Sequence, residues 1–255
     1  MNRIDQAFES KKDLLNIYFT AGFPAVDDTV RIARALEEAG ADIIELGLPY
    51  SDPIADGPTI QDSSTQAIKN GMNLKLLFEQ LQDLRKHVTI PVIMMGYLNP
   101  VMQFGVERFC EKCQQVGVDG LILPDLPMSE YLEVYKPIFQ QHGLYNTFLV
   151  TPQTSEERIR LIDEKTDGFI YLVSSSSITG AKSGFQDQQI EYFDRIQSMK
   201  LKSKTMIGFG ISSHETYSTA CQYADGAIIG SAFIKSLAQD SSDEAIKNFV
   251  KHIKG

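Results

Sequence analysis

Ala41-Asp-Ile-Ile-Glu-Leu-Gly47 reads as a buried β-strand, with β-branched and aliphatic residues at its centre and a carboxylate, Glu45, closing its apolar run. An amphipathic helical pattern, Asp28–Ala39, precedes it and stops at Gly40, a residue suited to a helix C-cap. The continuation, Leu48-Pro-Tyr-Ser-Asp-Pro-Ile-Ala-Asp-Gly-Pro-Thr-Ile-Gln61, is a stiff loop that brings two more carboxylates, Asp52 and Asp56, back towards the strand end. A lone charge at Glu45 would cost several kcal/mol on such a strand unless paired, neutralised or used in chemistry.

The same alternation extends in both directions. Apolar, β-rich runs recur at Leu14–Thr20, Ile43–Gly47, Val92–Gly96, Gly120–Pro124, Tyr145–Val150, Gly168–Ser174, Thr205–Gly208 and Gly226–Ile229. Helical patterns separate them, among them Leu74–His87, Ser129–His142 (before Gly143), Ser155–Glu164 and Gln188–Met199. Strand–helix alternation predicts a parallel sheet. Eight such units in 255 residues predict one closed (β/α)₈ TIM barrel spanning residues 1–255 as a single domain. A doubly wound open sheet would carry a glycine-rich fingerprint after its first strand, where this chain has only Thr20-Ala-Gly-Phe-Pro24.

Composition narrows the function. A net charge of -9 and no local Lys/Arg cluster disfavour nucleic acid and anionic membranes as partners. The apolar runs are strand-sized, and the first ten residues lack the apolar centre of a signal peptide, so a cytoplasmic location is expected. Cys110-Glu-Lys-Cys113 has a redox or half-zinc spacing but lies within a helical pattern. Neither Cys221 nor His87, His142, His214 or His252 stands at ligand spacing from it, so it reads as two thiols on one helix face and no metal is expected.

In barrels the reacting groups lie at the C-terminal strand ends. That rule collects Glu45, Asp56, Asp125 after the fourth strand and Tyr171 late in the sixth. Gly208-Phe-Gly-Ile-Ser-Ser213 and Gly230-Ser231 close the last two strands. Glycine amides there, with a helix N-terminus after Gly230, predict a phosphate site that needs no lysine. Ser212 and Glu215 have the spacing of a capping box. The segment from Ser174 to Phe185 is too long for a minimal turn and reads as a lid that supplies Thr179 and Gly180 to a ligand.

Taken together, these residues resemble the α subunit of tryptophan synthase over nearly the whole chain. The run Glu45-Leu-Gly-Leu-Pro-Tyr-Ser-Asp-Pro-Ile-Ala-Asp-Gly-Pro-Thr-Ile-Gln61 is similar to that family's signature. Gln115-Val-Gly-Val-Asp-Gly120, Pro124-Asp-Leu-Pro127, Tyr171-Leu-Val-Ser174, Ile178-Thr-Gly180, Gly208-Phe-Gly-Ile-Ser-Ser213 and Gly230-Ser-Ala232 add to it. The resemblance implies cleavage of indole-3-glycerol phosphate to indole and glyceraldehyde 3-phosphate, a retro-aldol type of lyase reaction without cofactor or metal.

By that resemblance Glu45 is the acid and base that serves indole C3 and the glycerol hydroxyl, and Asp56 accepts a hydrogen bond from the indole nitrogen. Glu45 is expected to have a raised pKa, and Asp56, in a polar loop, to stay ionised. Tyr18 or Phe19, Ile60, Tyr171 and Phe209 wall the indole pocket, Thr179 of the lid contacts the substrate, and Gly180, Gly210, Gly230 and Ser231 hold the phosphate. The implied partner is a pyridoxal-phosphate β subunit in an αββα assembly, with Asp52, Pro53 and Asp125 at the interface and the cofactor confined to the partner. Asp52 itself reads as a turn-forming residue.

Two positions depart from the family pattern: Phe23-Pro24 stands where Asp-Pro is usual, and Ser174-Ser175 where Ser-Arg is common. They bear on lid latching and on the partner's signal. Rival readings are another phosphosugar barrel enzyme, which would not need Glu45 and Asp56 together, a silent module that only activates a partner, and a lyase that acts alone.

Overall fold

The computed structural model describes residues 1–53, 56–174 and 185–255. In chain order its elements are α1 (Arg3–Ser10), β1 (Leu14–Thr20), α2 (Thr29–Ala39), β2 (Ile43–Gly47), α3 (Pro58–Lys69), α4 (Leu74–Gln80), α5 (Leu84–His87), β3 (Val92–Met95), α6 (Leu98–Phe104) and α7 (Val106–Val116). There follow β4 (Gly120–Ile122), α8 (Met128–Glu130), α9 (Lys136–Gln141), β5 (Tyr145–Val150), α10 (Glu156–Lys165), β6 (Ile170–Val173), α11 (Asp187–Ser198), β7 (Thr205–Gly208), α12 (His214–Tyr223), β8 (Gly226–Ile229), α13 (Ser231–Gln239) and α14 (Asp243–Lys254). Each strand pairs in parallel with the next and β8 returns to β1, closing the barrel. The expected (β/α)₈ barrel is therefore the fold.

Three strands end earlier than the sequence suggests, β3 at Met95, β4 at Ile122 and β6 at Val173. The apolar residues beyond them line loops at the barrel mouth instead. The helix expected over 74–87 is interrupted by a 3₁₀ turn at Leu81–Asp83. The one expected over 129–142 opens into a π turn at Tyr131–Tyr135, where the Lys136 amide reaches back to the Tyr131 carbonyl. Pro137 supplies the reason: it has no N–H for the fourth carbonyl back, and its ring would press on that carbonyl, so the preceding turn widens. The helix ends at Gly40 and Gly143 are as expected, with φ of 102° and 69°.

The barrel floor is closed by α1, whose Asn2 cap accepts from the Ile4 amide. Its buried face, Ile4, Ala7 and Phe8, packs with Leu14, Ile43, Ile93, Ile122 and Met206 from the strands and with Phe169 just before β6. Register is set at this end by aspartates that precede even-numbered strands and grip the strand before. Asp42 accepts from the Leu15 amide at 2.9 Å, Asp119 from Val92 at 2.8 Å and Asp225 from Thr205 at 2.9 Å. Each also meets cations: Lys11 and Lys254 on Asp42, Arg3 and Arg85 on Asp119, Lys204 on Asp225. For Asp42, burial works against ionisation, but its two lysines and the Leu15 amide hold the carboxyl below its ordinary range.

Cys110 and Cys113 are buried on one face of α7, and burial pushes the Cys110 thiol up to about 12. Among the described residues no three His, Cys, Asp or Glu cluster as a metal site would require, and no helix is long and apolar enough to cross a membrane.

Candidate active site

Strand parity decides which side chains enter the barrel. On β1 the even residues face inward and on β2 the odd ones, so Asn16, Tyr18 and Glu45 share the interior. Glu45 is 1% exposed, and its Oε2 accepts a 3.0 Å hydrogen bond from Asn16 Nδ2. Among the described residues no cation pairs with it, which removes the reading of Glu45 as half of a structural ion pair. Burial pushes its carboxyl up to about 8, opposed by the Asn16 hydrogen bond and assisted by the charge of Asp56.

Asp56 sits half-buried after β2. Its backbone is fixed by its own amide on the Pro53 carbonyl, 3.1 Å, and by Gln61 Nε2 on its carbonyl, 2.8 Å. Its carboxylate accepts from the Tyr97 hydroxyl at 3.0 Å. The loop is less polar than its sequence suggests: Tyr18, Leu48, Pro53, Met95 and Tyr97 share the pocket with Asp56. Burial accordingly raises the Asp56 carboxyl above its ordinary range, against the Tyr97 hydrogen bond.

Two phenols lean over two glycines. The Tyr18 hydroxyl lies where a Cβ on Gly47 would be, and the Tyr171 hydroxyl where a Cβ on Gly208 would be. The geometry repeats because each tyrosine pairs with the residue two before the glycine on the neighbouring strand, Tyr18 with Glu45 and Tyr171 with Met206. Phe209, in the left-handed region at φ 68°, crosses the Tyr171 ring edge-on at 6.1 Å. Phe19, of opposite parity to Tyr18 and fully buried, packs among helix-side residues such as Ile32 and Leu36, so Tyr18 is the member of that pair in the pocket. Ile60 is buried in the first turn of α3.

At the opposite rim Gly210 has φ 75° and the Ser174 hydroxyl donates to the Phe209 carbonyl at 2.6 Å. Gly230 caps α13 with no side-chain hydrogen bond, so no cap side chain occupies the amides of the first turn, from Ser231 on. A Cβ on Gly230 would lie 3.4 Å from the Tyr18 ring, which makes this end continuous with the phenol wall. By contrast, α12 is self-capped. Ser213 accepts from the Thr216 amide, and Thr216 Oγ1 accepts from the Ser212 and Ser213 amides. The capping box is therefore Ser213 with Thr216, one residue beyond the expected Ser212 and Glu215, because Ser213 is the last residue in extended conformation.

Asp52 is exposed and accepts from its neighbour Ser51 at 2.5 Å, as a turn residue does. Pro53 is buried in the pocket wall rather than presented outward. Both Asp125 oxygens accept from the Leu98 amide at the start of α6, 2.9 and 3.1 Å, tying the loop after β4 to the loop that carries Tyr97. Thr179, Gly180, Ser175 and the body of the expected lid lie outside the described residues, as do Ile54 and Ala55 of the signature. Phe23, in place of the usual aspartate, is buried in the helix-side core.

Sequence reasoning missed Asn16 and Tyr97. Asn16 is the one amide in an otherwise apolar stretch of β1, and its parity with Tyr18 was a usable signal. Tyr97 had none, because its partner comes from another loop.

A closed parallel barrel with two coupled carboxyls at its mouth and an uncapped helix across from them is a (β/α)₈-barrel enzyme built for acid–base chemistry. Residues 4–254 match the family model described as tryptophan synthase alpha chain. The chain is 58% identical over 253 residues to the tryptophan synthase alpha chain of Flavobacterium psychrophilum, covering 99% of this chain and 100% of that one. It is 56% identical over 254 residues to that of Flavobacterium johnsoniae, covering 100% of each. Its fold matches the tryptophan synthase subunit alpha of Legionella pneumophila with a TM-score of 0.88 at 33% identity, over 100% of this chain and 97% of that one. The chain belongs to the tryptophan synthase alpha chain family.

Proposed function

We propose that this chain is a lyase that cleaves indole-3-glycerol phosphate to indole and glyceraldehyde 3-phosphate in tryptophan biosynthesis. The observation that carries the reading is the buried Glu45, whose carboxyl holds its proton up to about pH 8 at the end of β2 beside Asp56. Near neutral pH Glu45 enters the cycle as an acid.

The proton inventory balances with these two groups. Glu45 gives its proton to indole C3, and Asp56 accepts a hydrogen bond from the ring N–H as positive charge develops there. Now a carboxylate, Glu45 takes the proton of the adjacent glycerol hydroxyl. The bond from C3 to the glycerol carbon breaks, its electron pair returns to the ring, and the hydroxyl carbon becomes the aldehyde. Glu45 ends protonated, as it began.

Tyr18, Tyr171 and Phe209 are the ring wall, with Ile60 assigned by resemblance and Thr179 as a lid residue supplied to the substrate. Gly210, Gly230 and Ser231 are assigned to the phosphate, supported by the uncapped start of α13, and Gly180 joins them by resemblance alone. Residues 1–255 act as one domain, in the cytoplasm. The partner is a β subunit in an αββα assembly, met through the exposed Asp52 and Asp125, with Pro53 behind them in the pocket wall, and pyridoxal phosphate belongs to that subunit. Purified chain incubated with indole-3-glycerol phosphate, alone and with a β subunit, is expected to release indole. Glu45→Gln and Asp56→Asn are expected to lose most of that release, and undiminished release by Glu45→Gln would defeat the assignment.

A further inference from the structure

Glu45 has to serve as acid and as base in one turnover, so its neighbour must suit both forms. Asn16 is the only hydrogen-bond partner of the Glu45 carboxyl among the described residues. It is fully buried, at 0% exposure, on the strand beside Glu45 and facing the same interior. Its Nδ2 donates to Glu45 Oε2, while its own Oδ1 is buried with no partner. A buried amide carbonyl without a partner forfeits the hydrogen bonds it would make in water, and such groups are rare in native interiors. Catalysis supplies a use for it. A half-turn of the amide exchanges donor and acceptor, so the same residue that donates to a carboxylate can accept from a carboxylic acid.

We propose that Asn16 is the positioning residue of Glu45, its amide donating to the carboxylate and, after a half-turn, accepting from the carboxylic acid, so that the carboxyl keeps one orientation through both proton transfers. This rests on the reading of Glu45 as the acid and base. Asn16 lies below Glu45, on the floor side of β1, and does not itself meet the substrate. The other titratable groups facing Glu45 are Tyr18 from β1, Tyr171 from β6 and Asp56 from the loop after β2; burial and the Asp56 charge disfavour ionised Glu45, while the two phenols stay neutral, their own ionisation opposed by Glu45. Among the described residues Asn16 is the one neighbour that favours ionised Glu45. Because a hydrogen bond to the charged form is the stronger of the two, losing the amide should raise the Glu45 midpoint.

The test reads Glu45 directly by ¹³C NMR of its carboxyl, so it does not depend on activity. In the unmodified protein the Asn16 side-chain amide resonances should shift with the same midpoint as Glu45. In Asn16→Leu the Glu45 midpoint should rise by about half a pH unit or more, kcat should fall at least fivefold, and KM should stay within twofold. Asn16→Ser, which keeps a hydroxyl able to give and take, should recover part of kcat. Amide resonances that stay flat while Glu45 titrates would overturn the proposal even if Asn16→Leu failed to fold, as would an unmoved midpoint or a loss confined to KM. Retained activity in Glu45→Gln would instead remove the acid–base reading and leave the hydrogen-bond result standing.

Discussion

Tyr97 donates a 3.0 Å hydrogen bond to Asp56 across the barrel mouth, joining the loop after β3 to the loop after β2. The Tyr97 ring is itself held against Tyr50 at 5.1 Å, and the amide of the next residue, Leu98, is held by Asp125. Three loops thus fix one carboxylate.

Tyr97→Phe removes that bond and leaves burial unopposed at Asp56, so the carboxyl moves further above its ordinary range. A hydrogen bond to a charged group contributes about 1.5–3 kcal/mol, and kcat should fall by about tenfold or more. The limb of the pH–kcat profile that reports Asp56 should move to higher pH. A profile superimposable on the parent's would show that Tyr97 does not support Asp56.

Glu45 titrates near pH 8 when folded, against 4.5 for an ordinary glutamate. Between those values the native state keeps a proton that the unfolded state has lost, so its contribution to stability is greatest below pH 4.5 and falls as pH rises, by up to about 1.4 kcal/mol per pH unit. Glu45→Gln lacks this dependence. Urea unfolding at pH 5, 6, 7 and 8 should show the variant gaining on the parent at each step, and parallel curves would contradict a raised Glu45.

Gly47→Ala and Gly208→Ala place a methyl group where the Tyr18 and Tyr171 hydroxyls lie. Overpacking of this kind costs about 1–3 kcal/mol, and the displaced ring should also raise KM for the indole substrate. Tyr18→Phe on the Gly47→Ala background should recover part of both losses. Equal damage in single and double variants would mean that the hydroxyl is not the obstacle.

Asp119→Ala strips the Val92 amide, Arg85 and Arg3 of their shared acceptor. Loss of a buried partner should cost about 2–4 kcal/mol, read as a lower urea midpoint at unchanged slope. Asp83→Ala, which breaks an exposed pair with Lys86, should leave the midpoint where it is.

The barrel was legible because each strand is apolar on both faces and each helix carries a stripe, a pattern that survives without knowledge of contacts. Glu45 stood out for the same reason: a charge on such a strand has no neutral explanation. Boundaries at Met95 and Ile122 were less legible, since apolar residues beyond a strand serve a pocket wall as well as a sheet. The π turn at Tyr131–Tyr135 was foreshadowed by Pro137 but concealed by an unbroken amphipathic pattern. Asp56 was found, and its surroundings were misjudged, because the residues that bury it, Leu48, Met95 and Tyr97, arrive from strand ends and a different loop. Asn16 needed only the parity of β1 against β2, whereas Tyr97 depended on a meeting of two loops that no local spacing encodes.

Plugging of the floor by Ile4, Ala7 and Phe8 makes the interior a cul-de-sac. Among the described residues the interior opens at the rim where Asp56, Tyr97 and Gly230 stand, so traffic in and out through that rim is separated in time rather than in space. Whatever covers that rim therefore governs capture and discharge together.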